Sequence, residues 1–324
     1  MMDRRLVLAS LAALPTVLTT VARAQGQPPR ILVGFPAGGS VDATARRVAE
    51  FSRGKLAETV LVEQKVGAGG RLAIAALKDA APDGQTLLLS PSSMFTIYPH
   101  AYRKLAYNPA TDVIPVAPLA LSTCGFGVGP MVPTTVKTLA QLADWLKANP
   151  DKAAYASPAA GAMPHFLGNQ FEHAAGLKLT HAPYRGAAPG LQDLMGGQIA
   201  CGCFSIGDFV PHLAAGRLRL LGVTDKARSR FAPDVPTFEE QGFKGIVGVE
   251  SYGLYLPAKT PQAMVDKLAD IARAAVREPS VVEALAKLGF EPLSLSPADY
   301  AKRLAAERDY WGPVVKASGF SSDD

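Results

Sequence analysis

From residue 30 onward, short apolar runs alternate with stretches of helical period, and this alternation restricts the fold more than any other feature of the 324-residue chain. "RILVGF" reads as a strand. In "VDATARRVAEFSRGKL", Val41, Ala45, Val48 and Ala49 then share one helical face. "ETVLVEQ" reads as the next strand, and "GGRLAIAALKDA" as a helix closed by "PDG" at 82–84. "QTLLLS" is a third strand. This β-α-β-α-β order predicts an α/β fold with a parallel sheet covered by helices. Right-handed crossovers bring the carboxyl ends of such strands to one edge, where open sheets bind their ligands.

The second half repeats the style. "VKTLAQLADWLKANP" opens with Thr138 and has Gln141 three residues on, the spacing of a capping box. "KAAYAS", the helical "HFLGNQFEHAAG", "APGLQDLMGG", "QIACGCFS" and "RLRLLGV" continue the alternation. Thr237 and Glu240 give a second capping-box spacing. Thr260-Pro261 and Ser296-Pro297 each predict an N-cap followed by a first-turn proline. The terminal "SSDD" is expected to fray. Two extended stretches, 114–130 and 245–257, exceed the usual strand of about 5–6 residues. They suit a hinge near 122–126 and 249–252 joining two lobes over a cleft, and equally suit two central strands with loops.

The N-terminus reads as an export signal. Arg4 and Arg5 precede a moderately apolar stretch from Leu6 to Val21, and "ARA" at 22–24 fits a small-x-small cleavage site, so the mature chain is expected to begin at Gln25. Three arginines and one aspartate leave with the signal, so the formal charge falls from +5 to +3. That mildly basic balance suits small acidic molecules and is too dilute for nucleic acid. Three cysteines, Cys124, Cys201 and Cys203, cannot form a complete disulfide framework and read as small buried hydrophobes. The five histidines are scattered without metal-ligand spacing, and no cofactor motif is present.

Catalytic signatures are equally absent. There is no GxSxG elbow, P-loop or GxGxxG after a strand. Ser90, Ser92 and Ser93 follow a strand and so sit at the ligand edge, with no base apparent nearby. Asp42 falls in the first turn after the glycines of "FPAGGS" and suits helix-dipole support and capping. Two loop-to-helix junctions, 36–40 and 158–163, can offer backbone N–H groups to an anion. The chain reads as built to bind without catalysis.

The segments "ILVGFPAGGSVDATARRVA", "VLVEQKVGAGG", "APDGQTLLLS", "YASPAAGAMPHF", "APYRGAAPGLQDLMGGQI", "PHLAAGRLRLLGVTDKARS" and "APDVPTFEEQGF", in this order, resemble the periplasmic substrate-binding proteins of tripartite tricarboxylate transporters, the Bug family. The resemblance spans essentially the whole mature chain. It implies a two-lobed, Venus-flytrap fold of type II style with two hinge strands, lobe 1 formed by 25–124 plus 251–324 and lobe 2 by 125–250. It implies a periplasmic monomer that captures a small carboxylate for integral-membrane transporter subunits.

The ligand-binding set implied by the resemblance is Pro36, Ala37, Gly38, Gly39 and Ser40 with the preceding Phe35; Ser90, Ser92 and Ser93; Ser157, Ala159, Ala160, Gly161, Ala162 and Met163 with His165 nearby; and Phe204, Ser205 and Tyr252. The chain departs from the family in three ways. Gly161-Ala162-Met163 replaces a Gly-Ser-Thr type sequence, Phe204 stands where members often have aspartate, and Tyr252 stands where tryptophan is common. Met163, Phe204 and Tyr252 together suggest an apolar pocket for an aromatic or hydrophobic carboxylate, and loss of the aspartate argues against an amino-acid ligand. A periplasmic sensor, or a hydrolase using one of the three serines, are the competing classes.

Overall fold

The computed structural model describes residues 27–322, so the expected signal at 1–24 lies outside the described residues. The first part of the chain forms β1 (Arg30–Val33), α1 (Ser40–Phe51), β2 (Leu61–Gln64), α2 (Arg71–Lys78), β3 (Thr86–Pro91), the short helices α3 (Ser93–Thr96) and α4 (Tyr98–Ala101), and β4 (Val113–Val128). Then come α5 (Leu139–Ala148), β5 (Ala154–Ser157), α6 (Met163–Ala174), β6 (Thr180–Pro183), α7 (Ala187–Met195), β7 (Cys201–Ser205), α8 (Ile206–Leu213) and β8 (Arg219–Val223). The chain ends with β9 (Val249–Pro257), α9 (Gln262–Ala275), α10 (Pro279–Lys287), β10 (Glu291–Pro292) and α11 (Pro297–Ser318).

The strands build two sheets that share β4. In lobe 1 the order is β2-β1-β3-β9-β4, with β10 also pairing β4; in lobe 2 it is β6-β5-β7-β4, with β8 also pairing β4. The β-α-β units pair in parallel as expected (β1 with β2 and β3, β5 with β6 and β7). The hinge strands do not. β9 runs antiparallel to β3 and β4, and β4 antiparallel to β7 and β8, so both sheets are mixed. A return strand inserted without a crossover helix must run backwards, which is the physical source of the difference.

Residues Val113 to Thr123 of β4 pair with β9, and Cys124 to Val128 pair with β7. The 16-residue strand thus changes sheet between adjacent residues. The chain returns at Val249, which pairs with Thr123. Gly248 N–H donates to Thr224 O on the lobe 2 side of that crossing (2.7 Å). Of the two readings of the long stretches, the shared-strand reading describes the molecule.

Local signals fare unevenly. Thr138 and Gln141 make the expected capping box on α5, and the Ser296 side chain accepts from Asp299 N–H at the start of α11. Thr237 and Glu240 make both bonds of a capping box, yet they close a turn and not a helix. Thr260 does not cap α9; its hydroxyl donates to Pro257 O (2.8 Å) and Pro261 takes the cap position. The expected fraying at "SSDD" does not extend to Ser321 and Ser322. Ser322 N–H donates to Ala101 O and Arg103 N–H donates to Ser322 O, each at 2.9 Å. The last two aspartates lie outside the described residues.

The cores follow the layers. One apolar cluster fills the α1 and α9 side of the lobe 1 sheet, around Val33, Leu89, Leu254 and Leu268. A second lies under α7 and α8, around Leu194, Phe204 and Phe209. The third is continuous between the lobes, joining Tyr98, Tyr102 and Trp311 to Phe126, Tyr155 and Phe166. The lobes also touch where α8 meets the end of α10. A Cβ on Gly207 would lie 1.5 Å from Leu288 O. No side chain fits between two backbones at that distance, so glycine sets how close α8 approaches lobe 1. Gly207→Ala is expected to cost about 1–3 kcal/mol through forced backbone displacement. Urea unfolding checks this, and an unchanged midpoint would show that the contact relaxes freely.

Candidate ligand-binding cleft

Loops at the carboxyl ends of the parallel strands face one another across the hinge. Lobe 1 contributes the β1–α1 loop, with Phe35, Pro36, Gly39 and Ser40, and the end of β3, with Pro91, Ser93 and Met94. Lobe 2 contributes Pro158, Ala159, Ala162 and Pro164 after β5, Arg185 to Pro189 after β6, and Ser205 and Asp208 after β7. The hinge strands supply Ser122, Cys124, Glu250 and Tyr252 as the floor. The cavity between these loops measures about 60 Å³, less than half of the ~150 Å³ apolar cavity that admits benzene.

Four helices of eight or more residues begin at this cavity: α1, α6, α7 and α8. Their N-cap residues, Gly39, Ala162, Gly186 and Ser205, all line it, and none makes a side-chain capping bond. The first-turn N–H groups of a helix have no intrahelical acceptor and carry part of its dipole. Two such ends from lobe 1 and lobe 2 facing each other form a place for anionic oxygens. By contrast, α5 and α11, whose caps do not line the cavity, are closed by Thr138 and Ser296.

Asp42 supports the first of these ends differently from the expected capping. Its Oδ2 accepts from Gly38 N–H (3.0 Å) and from Arg46 Nε (3.0 Å), and its Oδ1 accepts from Gln64 Nε2. Gly38 stands at φ +86°, in the left-handed region that favours glycine, and its amide is turned inward to Asp42. The loop therefore directs Gly39 and Ser40 to the cavity, while Ala37 and Gly38 lie exposed on its outer side. Burial lifts the Asp42 carboxyl, but the Arg46, Gly38 and Gln64 donors outweigh it, so its pKa lies below the ordinary value.

The remaining sequence-predicted residues divide. Ser93, Ala159, Ala162, Ser205 and Tyr252 line the cavity together with Phe35, Pro36, Gly39 and Ser40. Ser90 and Ser92 are buried beside it: the Ser90 hydroxyl donates to Pro91 O (3.2 Å), and Ser92 Oγ accepts from Ser251 N–H (3.3 Å). Ser157 is buried at 2.7 Å from His181 Nε2. Ala160 accepts the Tyr102 hydroxyl on its carbonyl (2.8 Å), a bond between the lobes, and Gly161 sits against the same ring.

His165 stands behind the loop. Its Nδ1 accepts from Gly161 N–H (3.1 Å), and its ring stacks on His181 with centroids 3.8 Å apart. Burial lowers it to about 4, so it is neutral. Met163 faces a separate hollow beside Gly248. Phe204 is fully buried between Gly190, Gly202 and Phe209. Of the three residues expected to make the pocket apolar, only Tyr252 lines it. The apolar wall comes instead from Phe35, Met94 and prolines 36, 91, 158, 164 and 189.

Sequence reasoning named the serines Ser40, Ser93 and Ser205 but missed the charged members of the site. Arg185 stands at the mouth. Asp208 lies in the first turn of α8, and Glu250 on β9 accepts from Ser93 N–H (3.0 Å). Burial raises each of these two carboxyls to about 7, against the opposing influence of the nearby Ser40 hydroxyl on Asp208 and of the Ser93 hydrogen bond on Glu250. Glu250 carried a legible signal, as the one charged residue of an apolar strand.

The Asp42 bonds generate a test. Asp42→Ala is expected to lose about 1–3 kcal/mol, because it removes a buried carboxylate that accepts from Gly38 N–H, Arg46 and Gln64. Since the folded pKa is depressed, this contribution is full above the unfolded value of about 3.9 and disappears as pH falls through the folded one. Unfolding measured between about pH 3 and 7 should show the difference between wild type and variant shrinking toward acid. A difference constant with pH would remove the carboxylate from the loop's support.

Residues 44–320 match the model of the tripartite tricarboxylate transporter family receptor. The periplasmic binding protein BugD superposes with a TM-score of 0.85 at 31% identity, covering 91% of this chain and 98% of that one. The R. palustris protein Rpa4515 with adipate gives 0.86 at 27% identity, with 91% and 98% covered. MatC from Rhodopseudomonas palustris with bound malate gives 0.82 at 28%, with 89% and 98% covered. These neighbours are solute-binding proteins and not enzymes, which removes the hydrolase reading of Ser90, Ser92 and Ser93. The chain belongs to the tripartite tricarboxylate transporter receptor family of periplasmic solute-binding proteins.

Proposed function

We propose that the cleft captures a small carboxylate with a fairly apolar body in the periplasm and delivers it, unchanged, to the membrane subunits of a tripartite tricarboxylate-type transporter. The observation that carries this reading is the convergence of four uncapped helix N-termini, two lobes contributing, on one cavity. A carboxylate at each side accepts from backbone N–H groups, while its carbon body lies against Phe35, Met94, Tyr252 and the prolines. Adipate and malate in the two structural neighbours support a dicarboxylate. The apolar wall favours chains without hydroxyls, or aromatic rings, over citrate.

Capture proceeds by separation and closure of the lobes about β4 and the crossing at 248–249. Closure brings back the contacts between lobes: Tyr102 to Ala160 O, Pro36 against Gly186, and Gly207 against Leu288 O. A ligand that bridges both sets of helix ends binds the closed form better and so shifts the population toward it.

Thermal unfolding in the presence of adipate, malate, citrate, benzoate and glutamate tests the reading. A ligand at about a hundred times its Kd adds about 2.7 kcal/mol of stability, which for a protein of this size raises Tm by roughly 4 °C. The expected order puts adipate or benzoate above citrate, and Arg185→Gln is expected to weaken binding about tenfold, near 1.4 kcal/mol. Failure of every carboxylate to move Tm would sink the proposal.

A further inference from the structure

Two carboxyls stand in a cleft read as a carboxylate site, and that juxtaposition needs an explanation. Asp208, on α8 of lobe 2, lines the cavity close to the Ser40 hydroxyl at the start of α1 in lobe 1, next to the contact of Gly207 with Leu288 O. It therefore sits where the two lobes meet and beside one of the uncapped helix ends. Glu250 lines the same cavity from the hinge and is 6% exposed.

Few charges oppose them. Arg185 faces the cavity from the β6–α7 loop. The Tyr252 phenol on β9 and the Cys124 thiol on β4 face it too, and burial of the phenol, and for the thiol first the neighbouring Cys203 and then burial, push both far above their ordinary values, so neither carries charge. Behind Glu250, Glu307 on α11 is paired with Arg303. On α1, Asp42 is turned away and paired with Arg46.

A bound dicarboxylate brings two negative charges into this enclosure. With Asp208 and Glu250 ionised, four negative charges would share it with one guanidinium and the partial positive ends of the helices, each about half a charge. Like charges gathered in one cavity raise one another's pKa, and the relief is protonation of the carboxyls that line it. We infer that dicarboxylate capture by this cleft is coupled to proton uptake on its own carboxyl pair, Asp208 and Glu250. This rests on the carboxylate reading above. The proton comes from water, ends on a carboxyl oxygen of the pair, and leaves again when the lobes open and the anion departs.

The direction with pH follows. Both carboxyls lie at about 7 in the free protein, and the bound anion raises them further. Affinity is therefore full below about 7 and falls as pH rises toward the bound-state value, by up to about tenfold per pH unit for each proton taken up. A closed cleft would hold its ligand more tightly on the acid side and release it more readily as pH rises.

Isothermal titration of adipate and of malate into the intact mature chain tests this. Titrations run between about pH 6 and 8.5, in phosphate and in Tris, whose ionisation heats differ. The expected result is a buffer-dependent heat equal to uptake of about one proton near pH 7.5–8, with Kd rising across the range. Asp208→Asn should flatten most of that slope, and Glu250→Gln should reduce the proton count independently. Heats that do not depend on buffer, with a Kd constant in pH, overturn the inference while leaving carboxylate capture standing. Tighter binding of glutamate than adipate, without proton uptake and lost in Asp208→Asn, also overturns it, because the pair would then be reading an ammonium group. Absence of binding by any dicarboxylate sinks the carboxylate reading itself, and this inference with it.

Discussion

The molecule depends on the hydrogen bonding of one strand. β4 gives its first eleven residues to the lobe 1 sheet and its last five to the lobe 2 sheet, with no loop between. A strand paired on both sides cannot slip register without turning its side chains over. Gly125 to Val128 are paired on both sides, by β7 and β8, and Ala120 and Leu121 by β9 and β10, so the register of β4 is fixed on either side of the junction at Thr123 and Cys124. The residues on β4 that face the cavity, Ser122 and Cys124, straddle that junction at the period of two that a strand imposes. The floor of the cavity and the junction between the two sheets are thus the same stretch of backbone.

Closing the lobes brings together loops whose composition is dictated by backbone work. The walls are rich in glycine, alanine and proline because N–H groups at a helix start are useful to a ligand only when no hydroxyl or carboxylate side chain occupies them first. Side-chain caps, Thr138 and Ser296, appear on α5 and α11, which begin away from the cavity. Asp42 illustrates the division of labour. It consumes the Gly38 amide and holds the loop rigid, and the next amides along face the cavity. Behind lobe 2, the stacked His165 and His181 rings do the same for the 158–162 loop, with Phe320 set edge-on at 4.7 Å. The carboxyl-terminal segment of lobe 1 therefore braces a lobe 2 ligand loop.

The alternation of strands and helices, the long hinge stretches and the first loop could be read from the sequence, because each is a local pattern. The direction of individual side chains could not. Phe204 and Ser205 are adjacent on β7, and only the register opposite β4 decides that Ser205 faces the cavity while Phe204 fills the core under α7. Met163 opens α6, where a rotation of one residue separates the cavity from the hollow near Gly248. Asp208 was invisible for a different reason. An acid in the first turn of a helix is the commonest of dipole partners, and nothing local reveals that this turn is pressed against another lobe. Glu250 was better marked, since a charge in an otherwise apolar strand demands a specific environment.

Placing acids in an anion site resolves into a balance between holding and releasing. A net formal charge of +5 on the chain favours the approach of small anions. A desolvated arginine fork would bind a carboxylate far more strongly than neutral amides do, and a carrier built that way would not let go. Here Arg185 stays at the mouth and the interior relies on dipoles, which give direction and modest strength. The buried carboxyls add a repulsive term that is silent when they are protonated and active when they are not. The cleft's grip is then set by the proton occupancy of two side chains at the hinge and lobe contact, so the same residues that join the lobes also govern how firmly they stay closed on an anion.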